Sequence, residues 1–105
     1  MIDTNADAQL NAAVESELKN IRKVYGEQYH SLHEGYAILL EEIEEAEKDF
    51  DYIKNHCAML WDNVKINDAT TVKANARAIA FDAVELAKEA VQIGAVARKI
   101  LGEGV

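Results

Sequence analysis

The chain has 105 residues, contains no proline and is 50% hydrophobic, which predicts a single globular domain over residues 1–105 with enough apolar material for a core. Its formal net charge of -8 argues against nucleic acid as a partner, because phosphate-backbone contacts need clustered Lys and Arg. The longest apolar runs are four or five residues, far short of the roughly 20 that cross a bilayer, so no membrane partner is expected.

Cysteine usage and the N-terminal sequence both bear on the compartment. The single cysteine, Cys57, cannot form an internal disulfide. Residues 1–30 contain no signal-like apolar stretch. These two features predict a cytoplasmic protein.

The first periodic segment predicts a helix over residues 5–25. Its apolar residues recur at spacings of 4, 4, 3 and 4, from Leu10 to Tyr25. Gly26 follows directly and suits a helix C-terminus that needs a positive φ.

The second predicted helix opens with a capping box formed by Ser31 and Glu34. Its apolar stripe runs from Tyr36 to Val64, with neither Gly nor Pro to break it before Lys65. The pattern fits one long helix, or two helices with a bend near residues 55–56.

The third predicted helix follows a turn at residues 66–68, with Asp68 as its N-cap, and runs from there to Leu101, ending at Gly102. It is apolar around much of its circumference, which implies burial on more than one side. A helix of about 34 residues is about 50 Å long, and the short first helix cannot cover two such helices. We therefore expect an all-α fold, an antiparallel bundle of one shorter and two long helices, whose four-helix core is completed by dimerisation.

Acidic residues lie on the side of the second predicted helix where an apolar stripe is expected. Glu34, Glu41 and Glu45 are separated by 7 and 4 residues, so at about 100° per residue they share one face, and Glu42 lies on the next row. Carboxylates this close repel one another, and a divalent cation with hard oxygen ligands would relieve the repulsion. The alternative is a solvated acidic face, with Glu34 serving as a helix cap.

The third predicted helix also carries a polar stripe, with spacings of 3, 4 and 3 between Asp82, Glu85, Glu89 and Gln92. Asp82 and Glu85 fit a solvated stripe equally well, with Lys88 as a partner for Glu85. Glu89 lies among apolar residues, where an unpaired carboxylate is costly to bury without a partner or a metal.

Two blocks of the sequence carry the clearest motifs. The first is residues 33–37, HEGYA, which lead into a Glu-Glu-x-x-Glu pattern, and the second is residues 89–99, EAVQIGAVARK. Together these blocks, within residues 31–99, resemble the MazG-like all-α nucleoside triphosphate pyrophosphohydrolases, in particular a small subgroup from bacteria and their phages. The resemblance implies hydrolysis of a nucleoside triphosphate to the monophosphate and pyrophosphate, with magnesium held by helix carboxylates, in a homodimer or higher homo-oligomer.

The resemblance also implies site residues. The Glu-Glu-x-x-Glu motif corresponds to Glu41, Glu42 and Glu45, which together with Glu89 become the expected metal ligands; Glu41 or Glu42 becomes the catalytic base. The family's second motif, Glu-x-x-Asp, corresponds to Glu89 and Gln92, so an amide replaces a carboxylate. The amide oxygen can coordinate an ion but brings no charge, which weakens magnesium affinity or limits the site to fewer ions. Magnesium is the expected cofactor, with manganese as an alternative.

Further residues are candidates for binding the substrate. Basic side chains should assist the phosphates, and two are available near the end of the third helix, where they also suit the helix dipole. Glu85 is a candidate to compensate for the missing carboxylate. The substrate-binding candidates are Glu34, Glu85, Gln92, Arg98 and Lys99.

Two other functions fit parts of the sequence. Residues 27–30, EQYH, form a Glu-x-x-His element of the kind that di-iron bundles use, but those sites require two such elements and the sequence contains one. The stronger alternative is a non-catalytic helical dimer of the same fold that binds a nucleotide or a protein, and Gln92 supports it. The helical spacing of Tyr36, Phe50 and Trp61 favours core packing over stacking on a nucleobase.

Overall fold

Three helices make up the described chain. The computed structural model describes residues 1–102, in which α1 spans Thr4–Tyr25, α2 spans Leu32–Lys65 and α3 spans Ala69–Leu101, with no strand. The all-helical prediction is confirmed, with one helix of 22 residues and two of 34 and 33 residues. Within this part of the chain, none of the helices is long and apolar enough to cross a membrane.

The helix ends have local causes. Asp3 caps α1, because its carboxylate accepts a hydrogen bond from a first-turn N–H at 2.8 Å. As predicted, α1 ends at Gly26 and α3 at Gly102, whose φ angles of 97° and 77° lie in the region that favours glycine. Asp68 caps α3, also as predicted, and accepts from the hydroxyl and the N–H of Thr71 at 2.7 and 3.2 Å. These hydrogen bonds stabilise the charged carboxylate and lower the pKa of Asp68.

The start of α2 is a variant of the predicted capping box. Ser31 Oγ accepts from the N–H of Glu34 at 3.1 Å, as expected. The Glu34 carboxylate accepts from the N–H of His30 at 3.1 Å, one residue before the N–H that a standard capping box uses. α2 then runs without interruption to Lys65, so of the two predicted forms the single long helix is observed.

The chain divides into two compact units. Among the described residues, the first unit comprises residues 1–43 and 89–102, and the second unit comprises residues 44–88. α1 lies wholly in the first unit, whereas α2 and α3 each contribute residues to both.

The core of the first unit forms between α1 and the C-terminal part of α3. Leu18 and Ala95 are fully buried, and Val96 is 5% exposed. Gly94 lets the two helices approach closely, because a Cβ at this position would lie 3.3 Å from the side chain of Val14.

A polar network occupies the interior of the second unit. Asn75 is 5% exposed, and its Nδ2 donates to Asn63 Oδ1 at 2.8 Å. This bond orients the amide so that Asn75 Oδ1 faces His56 Nδ1 at 3.1 Å. The other ring nitrogen of His56, Nε2, lies 3.9 Å from Asp82 Oδ2. The amide of Asn75 therefore joins side chains of α2 and α3 by hydrogen bonds.

No apolar side chain of the second unit is buried. Phe50 and Trp61 were expected to pack in a core, yet they are 50% and 58% exposed in the single chain, as is Tyr36 of the first unit at 64%. Phe81 and Val84 on α3 are also more than half exposed. Helical spacing locates an apolar stripe, but it does not determine whether the stripe packs within the same chain.

Replacing Asn75 by Ala is expected to destabilise the protein by about 1–3 kcal/mol, because it removes the hydrogen-bond partner of Asn63 Oδ1 and of His56 Nδ1 at partly buried positions. Urea unfolding followed by circular dichroism measures the loss. Asn55→Ala is the matched control, since Asn55 is exposed on α2. Equal stability of the two variants would contradict a stabilising role for the network.

Candidate functional site

Two partly buried carboxylates from different helices meet in the first unit. Glu42 lies on α2 and Glu89 on α3, and an oxygen of one lies within 4.8 Å of an oxygen of the other. Glu45, the third carboxylate of the Glu-Glu-x-x-Glu motif, is exposed and belongs to the second unit. Hard divalent cations prefer carboxylate oxygens as ligands, and acidic surfaces that hold no ion also bring such oxygens together.

Gln92 lies between Glu42 and Glu89. With its amide turned so that both ends are satisfied, its nitrogen donates to Glu42 Oε2 at 2.8 Å and to Glu89 Oε2 at 3.1 Å. Two N–H donors thus serve two neighbouring carboxylates. Rotation of the amide by half a turn would bring its oxygen to the same place, where it could act as a further oxygen ligand.

Other predicted site residues lie outside this group. Glu41 is exposed and does not belong to the group that contains Glu42 and Glu89. Glu34 is engaged in capping α2, and Glu85, which belongs to the second unit, pairs with Lys88 at 3.0 Å. Arg98 is partly buried in the last turn of α3.

A cavity of about 400 Å³ lies beside Glu42 within the first unit, and we call it the carboxylate cavity. Glu34, Glu42 and Lys99 are its charged lining residues. The remaining lining consists of Ile21, Tyr25, Tyr29, His30, Ile38 and Val96. Its volume and its mixture of apolar walls with a few charged groups are typical of small-molecule sites.

Lys99 and Tyr29 form a contact on the wall of the carboxylate cavity. Lys99 is 3% exposed, and its ammonium lies 4.1 Å from the centroid of the Tyr29 ring, which is a cation–π geometry. Burial, followed by the charges of Glu34 and Glu42, raises the pKa of the Tyr29 hydroxyl above its usual value.

Two residues at the site were not predicted from the sequence. Glu17 on α1 lines a smaller cavity of about 260 Å³ together with Glu42 and Gln92. The sequence does contain a feature that could have identified Glu17. It lies four residues before Ile21 and so places a carboxylate on the apolar stripe of α1. Tyr29 lies in the loop between α1 and α2, where helical periodicity gives no signal.

Comparisons with known proteins identified no relative of the chain. A scan against protein-family models, a search of curated proteins and a search of solved structures each found no match to the chain. The resemblance to MazG-like enzymes therefore stays a prediction that the two sequence motifs carry.

Proposed function

We propose that the chain is a magnesium-dependent nucleoside triphosphate pyrophosphohydrolase, which releases a nucleoside monophosphate and pyrophosphate. The reaction comes from the resemblance of residues 31–99 to the MazG-like enzymes. The observation that carries the proposal is that Glu42 and Glu89 meet in the first unit with Gln92 between them. These residues come from both motifs, which lie far apart in the sequence.

The oxygen donors fit magnesium. Glu42 and Glu89 would hold the ion, with the amide oxygen of Gln92 as a further ligand, because magnesium prefers carboxylate and carbonyl oxygens. The resemblance adds Glu45 as a ligand. When bound, magnesium neutralises charge on the polyphosphate and lowers the pKa of a coordinated water. Manganese takes the same ligands and is the alternative ion.

The side chains of the site have separate tasks in hydrolysis. The reaction adds one water across the α–β phosphoanhydride bond, so that the water oxygen bonds to phosphorus, pyrophosphate leaves and a base takes the water proton. Glu42 lines the carboxylate cavity and Glu41 adjoins it in sequence, so one of these two is our candidate for the base. Lys99 lines the same cavity and is our candidate to hold phosphate oxygens, with Arg98 beside it in the last turn of α3.

We propose further that a second copy of the chain completes the fold as an antiparallel bundle with a four-helix core. The second unit supports this, because its large apolar side chains are exposed and none of its apolar residues is buried. Apolar surface of this kind is stabilised when another protein surface covers it. A two-fold axis would cover the same face of both copies at once.

A non-catalytic helical dimer that binds a nucleotide or a protein is the second candidate. The contact that favours it is the Gln92 amide, which donates to both Glu42 and Glu89 and so satisfies these carboxylates without an ion. The two candidates differ in whether a divalent ion replaces these hydrogen bonds.

Product analysis tests the proposed reaction. We expect the protein, given a panel of ribo- and deoxyribonucleoside triphosphates with magnesium, to release monophosphate and pyrophosphate without orthophosphate. Chelation of magnesium should stop the reaction. If folded protein hydrolysed none of the nucleotides in the panel, the proposed enzymatic activity would be wrong and the non-catalytic candidate would remain.

A further inference from the structure

The smaller cavity beside Glu42, of about 260 Å³, adjoins the carboxylate cavity within the first unit, and we call it the small cavity. The described residues that line both cavities are Ile21, Tyr25, Glu42 and Val96. Gln92 lines the small cavity, whereas Lys99 lines the carboxylate cavity. The proposed metal ligands therefore border two cavities, and only one of them has Lys99 among its described lining residues.

The two cavities suit different parts of a nucleoside triphosphate. The phosphates are negatively charged, and we expect them in the carboxylate cavity, where Lys99 is our candidate to hold them. The small cavity has neither Lys nor Arg among its described lining residues, and Ile21, Val24 and Val96 give it apolar walls. An uncharged nucleobase fits such a cavity better than a phosphate does. This placement rests on the proposed function, because it takes the reacting phosphates to lie beside the metal ligands.

Two polar side chains of α1 line the small cavity and take no part in the proposed metal site. Glu17 is partly buried and Asn20 is exposed. They are three residues apart, so they lie on one face of the helix. An ionised carboxylate only accepts hydrogen bonds, whereas an amide donates with its nitrogen and accepts with its oxygen. This wall of the cavity therefore offers a pair of acceptors next to one donor group.

Guanine matches both oxygens of a carboxylate, and the other common bases do not. Its N1–H and its 2-amino group are adjacent donors that one carboxylate accepts together, and its O6 beside them accepts from an amide nitrogen. Cytosine and adenine place a ring-nitrogen lone pair next to their amino group. Uracil and thymine place a carbonyl oxygen on each side of their ring N–H. With these four bases, the second carboxylate oxygen would face a lone pair and lose a hydrogen bond.

We propose that the small cavity binds guanine, so that the preferred substrate is a guanosine or deoxyguanosine triphosphate. The Glu17 carboxylate accepts from N1–H and from the 2-amino group, and the Asn20 amide donates to O6. The apolar walls contact the faces of the base. Glu17 thereby determines specificity, although it lies outside both sequence motifs.

Inosine nucleotides test the proposal, because they differ from guanosine nucleotides only in lacking the 2-amino group. Calorimetric titration in magnesium should show that guanosine monophosphate binds about tenfold more tightly than inosine monophosphate, since a hydrogen bond to a charged group typically contributes that much. The same preference for guanosine triphosphate over inosine triphosphate should appear in kcat/KM. This comparison needs no variant, so it remains decisive if a substitution in α1 prevents folding.

Two substitutions in α1 separate the proposed contacts. Glu17→Ala should largely remove the preference for guanosine over inosine monophosphate, whereas Glu15→Ala, the matched control at an exposed position of α1, should keep it. Asn20→Ala should weaken the binding of both nucleotides equally, because both carry O6.

The outcomes distinguish this inference from the proposed reaction. Equal binding of guanosine and inosine monophosphate by the wild type, or an unchanged preference in Glu17→Ala, would overturn the guanine site, and turnover of triphosphates would still support the enzyme. A preference for guanosine monophosphate without turnover of any triphosphate would support the guanine site in the non-catalytic candidate.

Discussion

Glu42→Gln is expected to abolish both the stabilisation of the protein by magnesium and its pyrophosphohydrolase activity. The substitution removes one of the two carboxylates that meet in the first unit and leaves Glu89 with a neutral amide at Gln92. An ion that binds only the native state at a hundred times its Kd stabilises by about 2.7 kcal/mol, which raises the Tm of a domain of this size by about 10 °C or more. Differential scanning calorimetry with and without magnesium should show this rise in the wild type and none in the variant.

Glu47→Gln is the matched control for this result, because it removes the same charge from an exposed position on α2. It should keep both the magnesium response and the activity, whereas Glu45→Gln should lose them. In EDTA, the Tm of Glu42→Gln should be no lower than that of the wild type, because loss of the Glu42 charge relieves its repulsion with Glu89. Indistinguishable magnesium responses of Glu45→Gln and Glu47→Gln would identify the acidic run as a solvated face.

Phe81→Asp is expected to convert a wild-type dimer into a monomer or an unfolded chain. Phe81 is 65% exposed on α3, in a unit that buries no apolar side chain of its own. Burial of an aromatic side chain at an interface contributes about 1.5–3 kcal/mol, and an aspartate there would add the cost of a buried charge. Sedimentation velocity at several concentrations should show dissociation of the variant at concentrations where the wild type is dimeric.

Ile2→Asp is the control for the dimer, because it places the same charge on an exposed apolar residue that precedes α1. It should sediment like the wild type. A wild-type protein that sediments as a folded monomer at micromolar concentration would remove the case for a second copy.

The ends of the helices were predictable because each depends on residues close in sequence. Gly26 and Gly102 supply positive φ, and Asp68 caps α3 through Thr71 three residues away. The exception is the start of α2, where Glu34 accepts from the N–H of His30 instead of that of Ser31. These two N–H groups belong to neighbouring residues, and a sequence motif does not determine which of the two the carboxylate binds.

The candidate site was predictable only where its residues share a helix. The spacing of Glu42 and Glu45 along α2 follows from helical geometry, but the contact of Glu42 with Gln92 of α3 depends on tertiary packing. The same holds for Tyr29 and Lys99, which a loop and a distant helix bring together. The sequence pattern also did not predict burial. Periodicity assigns Phe81 to the apolar face of α3, but it does not show whether another surface packs against that face.

Calorimetric titration of magnesium into the wild-type protein and Gln92→Glu tests the central claim most directly. If Gln92 shares an ion with Glu42 and Glu89, restoring a carboxylate at position 92 adds a charged ligand, so the wild type should bind magnesium and the variant should bind it more tightly. Without an ion, the added charge would instead lie beside two like charges. Equal affinity in the two proteins, or no magnesium binding by either, would contradict the claim that these residues form a metal site.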